Sequence, residues 1–492
     1  MVYSIPHLVV LSRLSERLRY ENRRNEALLV IQPVVKQYQQ LAATNPAAFN
    51  PDLAGCLHDF SDRLSGMGCR EEALDAIQQA VELRQQLATT NPAAFNADLS
   101  LSLNNYSLCL SDMGHREEAL NAIQQAVELR QQLATTDAAA FDADFAGLLN
   151  NYSHCLSDMG RQKEALAATQ QAVKIYKQLA TTDPAAFKAD LAFALNIYSV
   201  HLSDMGHREE ALDAIQQAVE LCQQLATTNP AAFNTDLARS LNNYSLCLSY
   251  MGHQEEALAA IQQAVELRKQ LAITNPAAFN ADLALSLNTY SSRLSDMGHR
   301  EEALAAIREA VELRKQLAIT NPAAFNADLA LSLNNYSSRL SDMGHREEAL
   351  TAIQQAVELR QQLAAVNPAA FNADLARSLN NYSHYLSNMG HQEKALAAIR
   401  QAVEIRQQLA IANPATFNAD LARSLNNYSY CLFNMGCQEE ALVAIQQAVE
   451  LYNELSAKYP GKFNSVLQKS IKWCKKCEVQ VGSSLVSGNS SK

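Results

Sequence analysis

The sequence of 492 residues lacks the features that mark several large classes of protein. No apolar run approaches the roughly 18 residues that a membrane-spanning helix needs. Its ten cysteines are scattered along the chain, which excludes the disulfide framework of small secreted domains. Lys and Arg total 40 against 51 Asp and Glu, and the net charge of −11 argues against nucleic acid or an anionic membrane as the main partner. We therefore expect a cytoplasmic protein with protein or peptide partners.

Motifs of catalysis and cofactor binding are missing as well. There is no glycine-rich phosphate loop, no nucleophile elbow and no His-x-x-x-His zinc helix. Acidic pairs such as Glu117 and Glu118 recur along the chain, and a catalytic site would not be copied so often. Histidines that follow successive glycines cannot share a metal, because stacked helices lie about 8–10 Å apart and zinc ligands lie about 2 Å from their ion. We expect no enzyme activity, no cofactor and no metal site.

The chain is instead organised by a repeat of 46 residues. Nine glycines share this spacing: Gly68, Gly114, Gly160, Gly206, Gly252, Gly298, Gly344, Gly390 and Gly436. A degenerate copy precedes them, with Asn22 at the glycine position, and an eleventh copy begins at Pro460. The spacing predicts a degenerate repeat over residues 1–50, nine repeats over 51–459, a capping helix over 460–481 and a disordered tail over 482–492.

Each repeat predicts two helices. Leu99, Leu103, Tyr106 and Leu110 recur at three- and four-residue spacing, which is the period of a helix with one apolar face. Gly114 ends this first helix because glycine adopts the left-handed conformation without strain. Asn-Pro pairs then start the next hairpin as N-cap and first-turn proline. One hairpin cannot bury its own apolar face, so stacked copies predict an elongated all-α solenoid.

The residue pattern resembles the tetratricopeptide repeat. Alanines lie five and twelve residues after the glycine, as at Ala119 and Ala126, in all nine complete copies. The Leu-Asn-Asn segment and the long second helix resemble the extended repeats of kinesin light chains. The resemblance implies a right-handed α-solenoid of about ten hairpins with a C-terminal capping helix. It also implies a non-enzymatic scaffold that binds an extended peptide or a partner helix in a concave groove lined by the first helices.

Two adjacent columns of asparagine are the main candidates for ligand contact. The position ten residues before the repeat glycine holds asparagine in every copy from Asn104 to Asn426. In most of these copies the position nine residues before the glycine holds asparagine as well. Each side chain offers a donor and an acceptor, and in kinesin-light-chain-like repeats asparagines in this register contact cargo peptides. The alternative is that they bond the neighbouring helix or were copied by duplication. The predicted contacts are Asn104, Asn105, Asn150, Asn151, Asn242, Asn243, Asn334, Asn335, Asn380, Asn381, Asn426 and Asn427.

Neighbouring columns vary among otherwise similar copies, and specificity could reside there. They contribute Arg239, Arg377, Arg423, His154 and His384 as candidate groove residues. Arginine suits a carboxylate or phosphate, so Arg377 and Arg423 predict a preference for an acidic ligand, with drift at exposed sites as the alternative. Aspartates two before the glycine are often followed by arginine four residues later, which predicts an ion pair across the turn.

Two other functions stay open at this point. Extended arrays of this kind also occur in fungal and bacterial signalling proteins, often fused to an NTPase or a caspase-like protease domain. The chain could therefore be the sensor or autoinhibitory arm of such a system, with its effector domain missing or on another chain. Self-association into a structural assembly is the third possibility.

Overall fold

Short signals in the sequence set where the helices begin and end. The computed structural model describes residues 4–21, 23–134, 138–459 and 461–489, without the side chains of 20, 134, 138–142 and 483–489. Asn91 caps the helix that starts at Pro92, because its side chain accepts the Ala94 N–H at 3.3 Å. Gly252 ends a first helix in the left-handed conformation, with φ of 87°. Both predicted signals are confirmed.

Helices are the only regular secondary structure among the described residues, which confirms the all-α prediction. The N-terminal unit, Met1–Thr274, contains α1 (Ile5–Tyr20), α2 (Arg24–Thr44), α3 (Pro46–Gly66), α4 (Arg70–Thr90), α5 (Pro92–Asp112), α6 (Arg116–Ala134), α7 (Ala138–Asp158), α8 (Gln162–Thr182), α9 (Pro184–Asp204), α10 (Arg208–Thr228), α11 (Pro230–Met251) and α12 (Gln254–Thr274). The C-terminal unit, Asn275–Lys492, contains α13 (Pro276–Asp296), α14 (Arg300–Thr320), α15 (Pro322–Asp342), α16 (Arg346–Val366), α17 (Pro368–Asn388), α18 (Gln392–Ala412), α19 (Pro414–Asn434), α20 (Gln438–Lys458) and α21 (Asn464–Asn489).

Within each unit, every helix packs against the next one along the chain, as in an α-solenoid. Odd-numbered helices are the first helices of the hairpins and even-numbered helices are the second. The two alanine columns are fully buried where helices approach, with Ala119 at 1% and Ala126 at 0% exposure. Ile123 and Leu110 fill the space beside them at 0% and 1%. Small residues at fixed positions therefore allow close packing at every repeat.

The last helix closes the C-terminal unit. Leu467, Cys474 and Cys477 of α21 are buried, and the Trp473 ring stacks on Tyr430 with centroids 4.0 Å apart. Helix α21 is longer than the capping helix predicted over 460–481. Residues 490–492 and the side chains of 483–489 lie outside the described part, so the disordered tail stays a prediction. None of the ten cysteines forms a disulfide.

A column of buried arginines lies on six of the second helices, and several of these arginines bond to the first helix of the next repeat within their unit. Arg314 donates from Nη1 to the carbonyl of Asp328 at 2.7 Å and to Ser332 Oγ at 2.6 Å. Burial lowers the pKa of Arg360 to about 10, so its guanidinium is still charged at neutral pH. The apolar period of the helices does not predict this seam, which consists of Arg84, Arg130, Arg268, Arg314, Arg360 and Arg406.

The predicted ion pair across the turn is wrong. Asp296 pairs with Arg293 on its own helix at 3.0 Å rather than with Arg300, which lies four residues later. Arg300 opens a second helix that packs against the first helix of the next repeat, so its Nη1 donates to the carbonyl of Asp342 at 3.5 Å. Arg208 likewise donates to the carbonyl of Tyr250. The arginine therefore links consecutive repeats.

Candidate functional site

The asparagines ten before the glycine are mostly buried between neighbouring first helices. We call them the inner asparagines: Asn104, Asn150, Asn196, Asn242, Asn288, Asn334, Asn380 and Asn426. Asn196 donates to Ser240 Oγ at 2.5 Å and Asn288 to Ser332 Oγ at 2.8 Å, in each case one repeat ahead. The sequence predicted this column as a contact of the groove, but first helices of adjacent repeats pack along it. The bonds to neighbouring helices match the alternative left open above.

The asparagines nine before the glycine are only partly buried and bond to the inner column. We call Asn105, Asn151, Asn243, Asn335, Asn381 and Asn427 the outer asparagines. Asn381 donates from Nδ2 to Asn334 Oδ1 at 3.1 Å, and Asn427 donates to Asn380 Oδ1 at 3.1 Å. Asn243 repeats the bond to Asn196 at 2.7 Å in the N-terminal unit. Each outer carboxamide is thus oriented by the repeat before it.

These asparagines line a hollow in the C-terminal unit. It has a volume of about 300 Å³ and extends over α15, α17 and α19. Its lining residues are Asn334, Asn335, Ser338, Arg339, Asn380, Asn381, His384, Tyr385 and Asn427. Within the described residues, the Oδ1 atoms of Asn381 and Asn427 accept no hydrogen bond from the protein. The surface offers amide donors and acceptors at regular intervals, as an extended polypeptide does.

Sequence profiles of known families match these same repeats. Two profiles of the tetratricopeptide repeat match residues 101–133, 238–271, 329–366 and 376–409. The profile of anaphase-promoting complex subunit 5 matches 56–103, 142–189, 186–234, 280–321 and 418–473. The helical hairpins, the alanine columns and these matches agree. The chain belongs to the tetratricopeptide repeat (TPR) superfamily.

Solved structures place this TPR chain among known α-solenoids. A Rap protein complexed with competence and sporulation factor matches with a TM-score of 0.51 at 13% identity, over 82% of this chain and 99% of that one. The apo form of RapI gives the same TM-score at 13% identity, over 82% and 98%. Kinesin-light-chain-like TPR repeats of Podospora anserina match over 46% and 97%, with 15% identity and a TM-score of 0.35. No curated protein is similar enough in sequence to count as a relative.

The arginines predicted for the groove lie on the surface of the TPR first helices, and each pairs with an aspartate three residues before it. Arg239 lies 3.2 Å from Asp236, Arg423 lies 2.8 Å from Asp420, and Arg377 pairs with Asp374. Side chains of all three arginines are at least 42% exposed. Exposed pairs of this kind contribute about 0–1 kcal/mol, so a ligand carboxylate could displace the aspartate at little cost.

The two candidate histidines are exposed as well. His154 Nδ1 lies 3.4 Å from Asp158 Oδ2, and the hydrogen bond with that carboxylate raises the pKa of His154. His384 Nε2 accepts from Asn388 Nδ2 at 3.1 Å and lies at the edge of the hollow. Both histidines lie six residues before the glycine of their repeat. His154 belongs to the N-terminal unit and His384 to the C-terminal unit, so each is described within its own unit.

The histidines that follow the glycines pair with acidic residues of their own helix. His207 Nδ1 lies 3.2 Å from Glu210, and His345 Nδ1 lies 3.3 Å from Glu348. No group of three His, Cys, Asp or Glu suited to a metal occurs in the part of the chain that the structure describes. Across that same part, no helix is both long and apolar enough to cross a membrane.

Proposed function

We propose that the chain is a non-catalytic protein interaction scaffold that binds an extended peptide or a partner helix along its first helices. The observation that carries the proposal is the ordered row of outer asparagines beside the hollow of the C-terminal unit. Asn335, Asn381 and Asn427 each donate from Nδ2 to the repeat before, and all three line the hollow. A side chain that is already oriented loses less conformational entropy when a ligand binds.

The inner asparagines have a supporting role in this proposal. Ser378 and Asn381 both donate to Asn334 Oδ1, at 3.3 and 3.1 Å, so that oxygen is already used within the protein. A ligand would therefore contact the outer column, and the inner column would fix its orientation. Variable residues of the same surface, such as Arg377 and His384, would then adjust the choice of ligand.

A matched pair of variants tests the proposal. Peptides selected from a random displayed library on the wild-type chain would be labelled, and their Kd measured by fluorescence polarisation. We expect Asn335→Ala/Asn381→Ala/Asn427→Ala to weaken binding at least about tenfold, because each lost hydrogen bond contributes about 0.5–1.5 kcal/mol. The control removes three exposed amides from the second helices of the same repeats: Gln355→Ala/Gln401→Ala/Gln447→Ala.

The control should leave Kd within about twofold of the wild type. It removes the same number of amides, but from second helices, which do not line the hollow. Equal losses in both variants, or no loss in the asparagine variant, would contradict the proposal. Melting temperatures of all three proteins identify any loss that comes from unfolding. Arg377→Ala/Arg423→Ala, tested on the same peptides, decides whether an acidic ligand residue matters.

A further inference from the structure

Helix α9 of the N-terminal unit carries an apolar stripe on the face that is mostly polar in the C-terminal unit. The stripe consists of Phe193, Ile197 and Val200, which share one face because they lie four and three residues apart. Phe193 and Val200 are 44% and 42% exposed, and Ile197 is partly exposed. No first helix of the C-terminal unit has apolar residues at all three positions. The matching residues are Leu331, Asn335 and Ser338 in α15, and Arg377, Asn381 and His384 in α17.

Helix α9 forms one surface with the first helices on either side of it. His201 Nε2 lies 3.2 Å from Ser153 Oγ of α7, and Asn243 of α11 donates to Asn196 Oδ1 at 2.7 Å. On α11, Leu246 lies at the matching position six residues before the glycine and is partly exposed. The apolar stripe therefore continues from α9 onto α11.

Ile197 favours a helical ligand over an extended one at this place. It stands where the outer asparagines stand in other repeats, so it offers no amide to the backbone of a ligand. An extended ligand would leave backbone groups unpaired against the apolar stripe, which costs free energy. A helix satisfies its backbone hydrogen bonds within itself and can place an apolar face on the stripe.

A carboxylate without an ion partner lies near each end of the stripe, and the first is Asp190, three residues before Phe193. In α17 the matching Asp374 pairs with Arg377 three residues later. Phenylalanine takes that place in α9, so Asp190 forms no ion pair within the described residues, and burial raises its pKa. Arg239 of α11 lies over the Phe193 ring, 5.6 Å from its centre, but pairs with an aspartate of its own helix.

Asp204 is the carboxylate at the other end, four residues after Val200. In α13 the matching Asp296 pairs with Arg293, three residues before it. His201 takes that position in α9, and its Nε2 contacts a serine of α7 instead. Asp204 therefore also lacks an ion pair in the part of the chain that the structure describes, and burial raises its pKa.

Building on the proposed function, we propose that this face binds an amphipathic helix of a partner protein with a basic residue near each end of its apolar stripe. The stripe of α9 supplies the apolar contact. A basic residue would give Asp190 and Asp204 the counter-ion that each of them lacks. The two aspartates are 14 residues apart, or about 21 Å along the helix axis, so a ligand helix of about 14 residues reaches both.

Fluorescence polarisation with a labelled synthetic helix tests the inference on the full chain. The lysine probe is an alanine- and glutamine-based peptide of about 20 residues, with leucines at i, i+4 and i+7 and one lysine beyond each end of this stripe. Wild type should bind it saturably. Ile197→Asn/Val200→Ser, which copies Asn335 and Ser338 of α15, should weaken binding at least about tenfold. Leu285→Ala, which removes an exposed apolar side chain from α13, is the control and should leave Kd within about twofold.

A second probe with glutamate in place of both lysines tests the charges. Wild type should bind it at least about tenfold more weakly than the lysine probe. Asp190→Asn/Asp204→Asn should remove most of this preference, whereas Asp296→Asn, whose carboxylate is already paired, should keep it. Equal affinity of the wild type for the two probes would overturn the inference.

Loss of lysine-probe binding must be specific to the α9 face. Absence of saturable binding, or an equal loss in Leu285→Ala, would contradict the inference. So would a dimer in light scattering that Ile197→Asn/Val200→Ser converts to monomers, because a second copy would then cover the face. If library peptides still bind through the outer asparagines while the lysine probe does not bind, this inference alone fails and the proposed function stands. Melting temperatures of all variants identify losses that come from unfolding.

Discussion

Buried arginine holds the seam position in α14, α16 and α18 of the C-terminal unit, with Tyr452 in α20, whereas the residues at this position in the N-terminal unit are more varied. Arg360 and Arg406 each donate to the serine eighteen residues later, at Ser378 and Ser424. In the N-terminal unit the same position holds Tyr176, whose hydroxyl donates to the carbonyl of Ala143 at 3.1 Å. Elsewhere in that unit it holds Cys222, whose Sγ lies 3.6 Å from Ser240 Oγ.

Arg130 shows why the partner changes with the residue. Leu148 stands where other repeats have the serine, so Arg130 turns to Ser100 Oγ at 2.8 Å and to Asp144 at 3.1 Å. Helices α8 to α10 and α16 to α19 all have 21 residues, whichever residue holds the seam position. The seam therefore requires a side chain that fills the space and satisfies nearby acceptors, and arginine is one of several solutions.

The largest expected effect comes from removing an arginine from the seam of the C-terminal unit. Arg360→Ala should lower the free energy of unfolding by about 3 kcal/mol, because it leaves a cavity and removes charged hydrogen bonds to Ser378 and the carbonyl of Asp374. Urea denaturation measures the change, and hydrogen exchange should locate it in α16 and α17. Cys222→Ala removes a smaller group and should cost less than half as much; equal losses would contradict the comparison.

Overpacking an alanine column tests what the two seams share. Ala126 is fully buried, so Ala126→Leu should lower the free energy of unfolding by about 1–3 kcal/mol and reduce the melting temperature. Ala93 is exposed in the first turn of α5, and Ala93→Leu is its control. An unchanged melting temperature in the Ala126 variant would count against close packing at this column.

Most of the fold could be predicted from the sequence because its signals are local and repeated. Glycines such as Gly114, Asn-Pro pairs such as Asn91-Pro92 and the alanine columns each act within one repeat. Contacts between repeats were harder to predict. Arg300 was assigned to an aspartate of its own turn, since a helical pattern gives no direction across the stack, and it contacts the next repeat instead.

The candidate site was only partly predictable for the same reason. A wheel drawn for one helix places Asn380 and Asn381 side by side on one face. In the stack, Asn380 is 8% exposed and Asn381 only partly buried, because the neighbouring first helices cover one of the two positions. The sequence does contain a signal for the buried arginines. Five of the six are followed by a serine eighteen residues later, as Arg314 is by Ser332.

A titratable group distinguishes the second hairpin from all later ones. His58 occupies the position of the inner asparagines; its Nδ1 lies 3.1 Å from Ser102 Oγ, and its Nε2 accepts from Asn105. Burial, followed by the Arg84 guanidinium, lowers the pKa of His58 to about 4. Between pH 6.5 and 4 the unfolded chain therefore binds a proton that the folded chain does not, so stability falls as pH falls.

His58→Asn should reduce this loss of stability by roughly 1 kcal/mol, a value discounted because the ring is partly exposed. Urea denaturation of both proteins at pH 7 and at about pH 4.5 measures it. The difference between the two proteins should be confined to the acidic side. Parallel loss of stability in both proteins on acidification would show that other groups dominate the acid response.

Transplanting the seam of one unit into the other should have the smallest effect. Arg360→Tyr/Ser378→Ala copies the pair Tyr176 and Ala194 into the C-terminal unit. Because tyrosine fills the seam and alanine leaves no unpaired hydroxyl, we expect the double variant to lose less than about 1.5 kcal/mol, well below Arg360→Ala. The two single variants complete a double-mutant cycle. A favourable coupling energy of about 0.5 kcal/mol or more would show that the side chains at the two positions pack against each other. Strictly additive losses would mean that arginine is required at this seam, and that the N-terminal unit depends on compensating contacts elsewhere.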